Sequence, residues 1–462
     1  MVTRRLEADY LVVGAGAAGM AFTDALIADA DVDVIMVDRR HAPGGHWNDA
    51  YPFVRLHQPS AYYGVNSLPL GDDSIDDEGL NAGMYEQANA AEICGYYDRV
   101  MRRSLLPSGS VRYHPMCEVV GDGRFVSRVS GDEFEVDVRT AVVDAAYLEP
   151  SIPATFAPPF AVASGVRCIP VNALSNVTEP AGRFVVIGAG KTAIDACLWL
   201  LQTGVEPDAI RWIKPREAWL RNRRHAQGGE LVGDLIDGIA LQLEAAAQAT
   251  SADDLFDRLE LHGLLLRVDE RVTPTMYKAP TMSTAELELL KRIDDVVRLG
   301  HVRRIDRGEV VLDGGTVAAQ PGDLYVHCAA PGLNPAPAVP IFVEGRITLQ
   351  PIRTGLIPFN AALVGYVEAT GRDIREKNRL CPPNRLPDVP LDWVRGLLIE
   401  MGADRAWSKE SDIARWLEGA RLNTSCGLRQ RADEPRVQDA MARFRAFVRP
   451  GLDRLGALLA SR

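Results

Sequence analysis

The sequence predicts an α/β protein with two parallel-sheet domains, and three observations support this prediction. Residues 11–22 read LVVGAGAAGMAF and residues 185–196 read VVIGAGKTAIDA, so the chain contains an apolar strand and a glycine turn twice. Each turn leads into a stretch with helical character, which is the pattern of a βαβ unit. A chain of 462 residues is also longer than one hydrophobic core usually organises.

The composition excludes several classes of protein. The apolar fraction of 47% and the charged fraction of 24% are those of globular domains, and no uninterrupted apolar run reaches the roughly 18 residues that span a bilayer. A net charge of −11 argues against nucleic acid as a partner. The seven cysteines are scattered without CxxC spacing, which predicts a cytoplasmic protein with no redox dithiol and no metal site.

The first glycine turn has the fingerprint of a dinucleotide-binding site. Gly14, Gly16 and Gly19 form GxGxxG between a strand and a helix, where the glycines allow a tight turn, close approach to a pyrophosphate and close helix–strand packing. The helix N-terminus then offers N–H groups to the pyrophosphate. Asp38 ends the next strand, where a carboxylate can accept hydrogen bonds from ribose hydroxyls, and we include the adjacent Arg39 in this site.

The second glycine turn carries a variant of the same fingerprint. Gly188 and Gly190 are present, and Ala193 stands in the third position, a replacement that the fingerprint allows. Lys191 and Thr192 add a cation and a hydroxyl beside the expected phosphates. The sequence therefore predicts a second dinucleotide site at this turn.

The residues after the second strand of this unit differ in charge from those of the first. Lys214 and Arg216 stand where the first unit has Asp38. Two cations suit a 2′-phosphate, which favours NADPH over NADH, although they could also be solvated surface charges. We predict that the first site binds FAD, which stays bound, and that the second binds NADPH, which delivers hydride.

These motifs predict the organisation of the whole chain. The expected segments are residues 1–150, the first part of an FAD-binding domain; residues 151–335, an NADPH-binding domain with a helical insertion at about 230–293; residues 336–391, a return to the FAD-binding domain; and residues 392–462, a helical C-terminal region. A helix is also predicted over residues 84–106. The insertion and the C-terminal region are expected to cap a substrate or to form a dimer surface.

Residues 44–64, GGHWNDAYPFVRLHQPSAYYG, carry a resemblance to a known family. With the two glycine turns, the chain resembles two-dinucleotide-binding-domain flavoproteins over about residues 8–370, and within them flavin-containing and Baeyer–Villiger monooxygenases. Gly44, Gly45 and Trp47 match the GGxW segment, which in the family passes alongside the flavin. His57 and Gln58 fall where the family has a polar residue facing flavin and nicotinamide, with a polar surface loop as the alternative.

Other segments match the family less closely. Residues 142–153 and 324–335 resemble its two crossings between domains, and Asn360 is expected to cap a late helix whose N-terminus points at the flavin. The family's FxGxxxH fingerprint is missing from residues 159–174. The chain is therefore identified as a divergent relative.

The resemblance implies an NADPH-dependent monooxygenase that oxygenates a small organic substrate with O₂ through a flavin C4a-(hydro)peroxide. A reductase that passes electrons to a quinone or to a protein is the first alternative, and a non-catalytic NADPH-binding protein is the second. The sequence does not specify the substrate, and it leaves the oligomeric state open, with a homodimer as one alternative.

Overall fold

Both glycine-rich segments form a strand, a turn and a helix in the computed structural model, which describes residues 3–121 and 123–460. The strands are β1 (Thr3–Val13), β2 (Val34–Val37), β3 (Val111–His114), β4 (Cys117–Gly121), β5 (Arg124–Ser127), β6 (Glu133–Asp144), β7 (Ala161–Val162), β8 (Arg167–Pro170), β9 (Arg183–Ile187), β10 (Ile210–Ile213), β11 (Leu220–Asn222), β12 (Leu265–Leu266), β13 (Thr281–Met282), β14 (Val296–Val297), β15 (Val302–Ile305), β16 (Glu309–Leu312), β17 (Gly315–Ala318), β18 (Asp323–His327), β19 (Phe342–Val343) and β20 (Arg346–Thr348).

The helices follow the same chain order. They are α1 (Ala17–Asp29), α2 (Ala90–Val100), α3 (Lys191–Gln202), α4 (Val232–Gln248), α5 (Ala252–Leu261), α6 (Thr284–Leu290), α7 (Ile357–Ala369), α8 (Ile374–Leu380), α9 (Pro390–Trp407), α10 (Ser411–Gly419) and α11 (Pro435–Ala460). No helix of the described residues is both long enough and apolar enough to cross a membrane.

The first sheet is built around the first glycine turn. Its strand order is β19-β20-β6-β1-β2-β3, with β1 parallel to both β2 and β6. The hairpin of β4 and β5 extends it by antiparallel pairing of β5 with β6. Strand β20 returns from far along the chain to lie parallel to β6, so residues 346–348 belong to this sheet.

The second sheet is built around the second glycine turn. Its five strands, in the order β14-β10-β9-β18-β8, all pair in parallel. A separate meander of β15, β16 and β17 pairs with β7. Two sheets with parallel central strands, each with a glycine turn after its first βαβ strand, confirm the predicted α/β class with two Rossmann-like domains.

The helix predicted over residues 84–106 begins later than expected. Asn89 caps α2 by accepting the N–H of Glu92 at 3.1 Å, and the side chain of Glu92 accepts the N–H of Asn89 at 2.7 Å, which completes a capping box. The residues before this cap are extended, and a π-helical turn at Met101–Leu105 follows Val100. The polar cap therefore determines where α2 starts, and the apolar pattern alone placed this start too early.

The insertion and the C-terminal region pack on each other. Helix α4 lies along α11, and a Cβ atom on Gly451 would be 2.6 Å from the carbonyl oxygen of Leu243, so the two helices touch through their backbones. Arg443 donates to Asp237 across this contact at 2.6 Å. The insertion is helical at α4, α5 and α6, but residues 262–282 between them form loops and short strands.

The two segments that resemble domain crossings run side by side. Ser151 donates its N–H to the carbonyl of Gly332 at 2.9 Å, and Gly332 donates back to Ser151 at 3.1 Å. Each crossing also starts beside a glycine turn, since Ala145 lies against Gly14 and Cys328 lies against Gly188. The antiparallel pair joins the two sheets at the side where their turns lie.

Candidate functional site

The first glycine turn is packed as the fingerprint requires. Gly14 has a φ of +107°, which only glycine adopts readily. A Cβ atom on Gly19 would lie 2.0 Å from the carbonyl oxygen of Gly14, so helix and turn can approach only without a side chain. Helix α1 begins after Gly16 with no side-chain cap, which leaves its N-terminal N–H groups available for a phosphate.

The GGHW segment lies directly on this turn. The N–H of Gly44 donates to the carbonyl of Ala15 at 2.9 Å. A Cβ atom on Gly45 would be 3.1 Å from the Cα of Gly16, so the two backbones are in contact. Two glycines therefore place one loop against the other at the edge of the expected pyrophosphate site.

Trp47 lies between the two hydrophobic cores and packs against both. Its Nε1 donates to the hydroxyl of Tyr63 at 2.6 Å, and the two rings are nearly perpendicular. His46 stacks on the indole, with the ring centroids 5.1 Å apart. The indole is thus held as a rigid wall between the domains.

Asp38 is buried at the end of β2 and faces the glycine turn. One carboxylate oxygen accepts the N–H of Ala15 at 2.7 Å, and the other accepts the N–H of Arg40 at 2.8 Å. Arg39 is half-exposed and forms an ion pair with Glu149. Asp38 therefore sits where ribose hydroxyls are expected, whereas the guanidinium of Arg39 already has a carboxylate partner.

The second glycine turn repeats this construction with more open space. Gly188 has a φ of +143°, and a Cβ atom there would be 3.0 Å from the carbonyl oxygen of Cys328. A Cβ atom on Gly190 would meet no atom within 4 Å. Helix α3 starts after Gly190 without a side-chain cap, and Ala193, in the first turn of this helix, is fully buried. The backbone at Gly190 is therefore accessible to a ligand.

The cations predicted to bind a 2′-phosphate are not free. Lys214 is buried, its ammonium lies 4.3 Å from the centroid of the Trp212 ring, and it forms an ion pair with Glu217. Arg216 donates two hydrogen bonds of 2.8 Å to Asp388. Each positive charge therefore already faces a carboxylate, and binding of a 2′-phosphate by Lys214 and Arg216 stays a prediction.

Lys191 connects the second glycine turn to the first domain. Its ammonium donates to the carbonyl of Arg55 at 3.2 Å and forms an ion pair with Asp195 one helical turn on. Asp195 also accepts the hydroxyl of Tyr51 at 2.7 Å. Burial raises the pKa of Asp195 above its ordinary value and raises that of Tyr51 well above its own. Thr192 is half-buried beside Tyr51.

His57 and Gln58, the predicted catalytic residues, occupy different environments. The Nδ1 of His57 is buried and has no hydrogen-bond partner among the described residues. Burial holds its pKa well below the ordinary value, and the nearby charges of Lys191 and Arg223 lower it further. The side chain of Gln58 instead donates to the carbonyl of Tyr62 at 3.0 Å, within its own loop.

Arg223 is a buried cation close to His57. It is 2% exposed and donates to Glu286 at 2.7 Å and to the side-chain oxygen of Asn81 at 3.0 Å. Asn81 belongs to the first domain, so this arginine bridges both domains. A buried guanidinium with these partners is costly to unpair, which makes it a fixed part of the site.

A cavity of about 360 Å³ runs along α3 between the domains. Its apolar walls include Phe53, Leu198 and Trp199. Its charged walls consist of cations and carboxylates in the same space, among them Arg55, Lys191, Arg223, Asp195 and Glu286. No group of three or more His, Cys, Asp or Glu residues in 3–121 and 123–460 is arranged to hold a metal ion.

Asn360 is not the cap of the late helix. Helix α7 begins at Ile357 with Leu356 at its N-cap, and Asn360 lies in the first turn. Its side-chain oxygen accepts the N–H of Arg353 at 2.9 Å, and its amide donates to the carbonyl of the same residue at 2.7 Å. The amide shapes the loop that precedes α7, and Pro358 inside the first turn favours the earlier start.

Several site residues carry signals that sequence reasoning did not use. Asp195 stands four residues after Lys191 on a predicted helix, a spacing that places the two side chains together. Tyr51 lies within residues 44–64, four residues after Trp47. The pair of Arg223 and Glu286 is separated by 63 residues, and no local pattern reveals it.

His46 predicts a pH dependence of stability. Burial lowers the pKa of His46 from its ordinary value of about 6.5 to about 4 in the folded protein. Between pH 6.5 and pH 4, His46 is therefore protonated in the unfolded chain but mostly neutral in the folded protein. The free energy of unfolding should therefore fall as the pH falls through this window. His46→Gln removes this titrating group. The variant should show a smaller change in the free energy of unfolding with pH, by up to about 1.4 kcal/mol per pH unit, when unfolding by urea is measured across this range.

His225 provides the matched variant for this experiment. Burial likewise lowers its pKa to about 4, and its Nδ1 lies 3.1 Å from the carbonyl oxygen of Asp234 in a different region. His225→Gln should reduce the slope by a similar amount, and the double variant by the sum. If the variants show the same dependence of the free energy of unfolding on pH as the unsubstituted protein, His46 and His225 are not buried in the neutral form.

The chain is closely similar to three mycobacterial proteins. It is 46% identical over 459 residues to uncharacterized protein Rv2000 of Mycobacterium tuberculosis (strain ATCC 25618 / H37Rv), with 99% of this chain and 85% of that protein covered. The same values hold for uncharacterized protein MT2056 of M. tuberculosis (strain CDC 1551 / Oshkosh) and uncharacterized protein Mb2023 of Mycobacterium bovis (strain ATCC BAA-935 / AF2122/97). The chain belongs to their family.

A family model described as an NAD(P)-binding Rossmann-like domain matches residues 12–70. This range contains the first glycine turn, Asp38 and the GGHW segment. Together with the two parallel sheets, the match confirms the predicted Rossmann-like architecture.

Solved structures with a similar fold are more distant. Cyclohexanone-bound cyclohexanone monooxygenase is 13% identical, with 80% of this chain and 88% of that chain covered and a TM-score of 0.48. Oxidized steroid monooxygenase bound to NADP is 15% identical, with 79% and 87% covered and a TM-score of 0.47. Bacillithiol disulfide reductase of Staphylococcus aureus is 12% identical, with 71% and 77% covered and a TM-score of 0.39.

Proposed function

We propose that the protein is an NAD(P)H-dependent flavoprotein oxidoreductase and, more specifically, an FAD-dependent monooxygenase that acts on a small polar organic substrate. One arrangement supports this function above all: two glycine turns of the same construction follow parallel strands of two sheets, with a charged cavity between the domains. A single dinucleotide would need only one such turn.

The residues at the first turn fit FAD. The uncapped N-terminus of α1 and the backbone of Gly45 frame a pyrophosphate site, Asp38 faces the expected ribose, and Trp47 provides a flat wall. The open backbone at Gly190 fits the pyrophosphate of a nicotinamide coenzyme. When bound, the flavin would accept hydride from the coenzyme and transfer electrons to O₂.

His57 is the polar group best placed to contact a ligand at the domain boundary. Because its imidazole is neutral and its buried Nδ1 has no partner among the residues that the structure describes, one ring nitrogen can accept a hydrogen bond from a bound molecule or donate one to it. The buried pairs around Lys191 and Arg223 hold this imidazole between fixed charges. The predicted role of Gln58 requires its amide to leave the carbonyl of Tyr62.

The cavity walls favour a polar substrate over a hydrocarbon-like one. Arg55, Lys191 and Arg223 face the same space as Asp195 and Glu286, so a ligand meets charges of both signs. Burying an apolar molecule against these groups would desolvate them without new partners. Phe53 and Trp199 stack at one wall, with centroids 4.8 Å apart, and give this side of the cavity an apolar surface.

The cysteines do not support a thiol–disulfide reductase. Such an enzyme needs a reactive cysteine pair that accepts electrons. The cysteines of the described residues are all free, and burial raises the pKa of Cys197, Cys328 and Cys381. Thiols with raised pKa in the core are poor nucleophiles, which leaves oxygen, a quinone or a protein as the electron acceptor.

Rapid mixing with oxygen tests the monooxygenase. The purified yellow protein is reduced anaerobically with NADPH or NADH, mixed with oxygenated buffer, and followed by flavin absorbance together with oxygen consumption and hydrogen peroxide release. A monooxygenase should consume oxygen first and release hydrogen peroxide in a slower, separate phase. Simultaneous oxygen consumption and peroxide release would favour the reductase, and a colourless protein that binds no flavin would favour the non-catalytic alternative.

A further inference from the structure

We propose that the coenzyme site does not select for a 2′-phosphate, because Glu217 and Asp388 hold the cations that would bind it. The inference rests on the proposed function, since it places the coenzyme at the second glycine turn. The protein should accept NADH about as well as NADPH.

Lys214 occupies the position that decides coenzyme choice in this kind of domain. It directly follows β10, as Asp38 directly follows β2 in the first domain. The N–H groups of Lys214 and Asp38 bond to Val297 and His114 of the next strand at 2.9 and 3.1 Å, so the two positions are structurally equivalent. The adenosine ribose is expected beside such a residue.

The ammonium of Lys214 is locked in the protein interior. Lys214 and Glu217 have side chains that are each 3% exposed, and they form an ion pair. The other carboxylate oxygen of Glu217 accepts Arg298 at 2.7 Å. Drawing Lys214 toward a phosphate would leave Glu217 partly unpaired in the interior, which is strongly unfavourable.

Arg216 is held by a carboxylate from another part of the chain. Its two 2.8 Å hydrogen bonds to Asp388 have the bidentate geometry in which a guanidinium would otherwise bind phosphate. Asp388 lies just before α9 in the C-terminal half, and Lys278 lies 3.7 Å from it. A 2′-phosphate would have to replace a carboxylate that already satisfies the arginine.

The cations in this region already face carboxylates. Lys214, Arg216 and Arg298 face Glu217, Asp388 and Asp269, and Lys278 and Arg271 share Asp388 and Asp269 with them. A 2′-phosphate brings about two additional negative charges and finds no unpaired cation among these groups. NADH brings none of this charge and meets no corresponding cost.

Asp388 is the residue whose removal should change the selectivity. The side chains of Arg216 and Asp388 are 34% and 49% exposed, so this pair can be altered without opening the core. Asp388→Asn keeps the size of the side chain and removes its charge, which frees Arg216 for a phosphate. The affinity for NADP⁺ should then rise about tenfold, while the affinity for NAD⁺ stays the same.

Titration calorimetry of the flavin-loaded protein with NAD⁺ and NADP⁺ tests the inference. The unsubstituted protein should bind both with Kd values within about tenfold of each other. Arg216→Gln should leave both Kd values unchanged, and Asp388→Asn combined with Arg216→Gln should lose the gain in NADP⁺ affinity. The double variant separates release of Arg216 from any other effect of Asp388→Asn.

The outcomes distinguish this inference from the proposed function. Binding of NADP⁺ at least about a hundredfold tighter than NAD⁺, with loss of that preference in Arg216→Gln, would overturn the inference and leave the proposed function intact. Failure of both nucleotides to bind would overturn the proposed function together with the inference.

Discussion

Gly190→Asp is expected to abolish coenzyme binding without destabilising the protein. Gly190 is the N-cap of α3, and a Cβ atom there meets no atom within 4 Å. Its φ of −86° is also open to any residue. Aspartate is among the best N-cap residues and interacts favourably with the helix dipole, so the free energy of unfolding should stay the same or rise by up to about 1 kcal/mol.

The same carboxylate should exclude the coenzyme. It would project into the space that the pyrophosphate requires and would take the N–H groups of α3 for itself. The Kd for NADP⁺ and NAD⁺ should rise by more than about a hundredfold, as measured by titration calorimetry.

Gly190→Asn is the matched control. Asparagine has the same shape and is an equally good N-cap, but it carries no charge. It should weaken binding less than Gly190→Asp, and the difference between the two variants measures the electrostatic part. Unchanged coenzyme affinity in Gly190→Asp would show that the second turn is not the coenzyme site.

Gly19→Ala is expected to have the largest effect on stability and flavin content. The added Cβ would lie 2.0 Å from the carbonyl oxygen of Gly14 and 3.2 Å from the Cβ of Ala145. Neither the turn nor the domain crossing can move without disturbing β1 and β6. The free energy of unfolding should fall by about 3 kcal/mol or more in urea, and the purified protein should contain little flavin.

The second turn supplies the control for this variant. Ala193 stands in the same position of the second fingerprint and is fully buried without such a clash. Ala193→Gly should lower the free energy of unfolding by only about 1 kcal/mol, the usual cost of glycine in a helix, and leave the flavin content unchanged. Equal flavin content in Gly19→Ala and the unsubstituted protein would contradict the role given to the first turn.

The sequence predicted the parts of the fold that local patterns determine. Both glycine turns occur where the strand, glycine and helix pattern placed them, because a turn with φ near +107° or +143° has a strict local requirement. The capping box of Ser283 and Glu286, a Ser-x-x-Glu pattern in the sequence, likewise starts α6. These features depend on residues that are adjacent in the chain.

The charge partners could not be predicted in the same way. Arg216 was interpreted as a phosphate ligand because nothing nearby in the sequence indicates that Asp388 approaches from 172 residues away. The partner of Lys214, Glu217, stands only three residues on, but the spacing alone does not reveal that the two side chains are buried together. Asn360 read as a helix cap, but its amide is used by Arg353 in the preceding loop. Which carboxylate or carbonyl reaches a polar side chain is decided by tertiary packing.

The packing of the insertion on the C-terminal region has the same origin. Both segments show helical patterns, yet the contact between α4 and α11 depends on Gly451 and on the pair of Asp237 with Arg443. Gly451 and the pair of Asp237 with Arg443 indicate a helix contact only when the two helices are known to be adjacent. Sequence patterns therefore found the helices but not their partner.

Anaerobic titration with reduced coenzyme tests most directly that the two turns form one redox site. The flavin-loaded protein and its Gly190→Asp variant are each mixed with NADH or NADPH in the absence of oxygen, and the oxidised flavin absorbance is followed. We expect the absorbance of the unsubstituted protein to bleach with either coenzyme and that of Gly190→Asp to persist. Persistence of the oxidised flavin in both proteins, or equal bleaching in both, would contradict hydride transfer from a coenzyme bound at the second glycine turn.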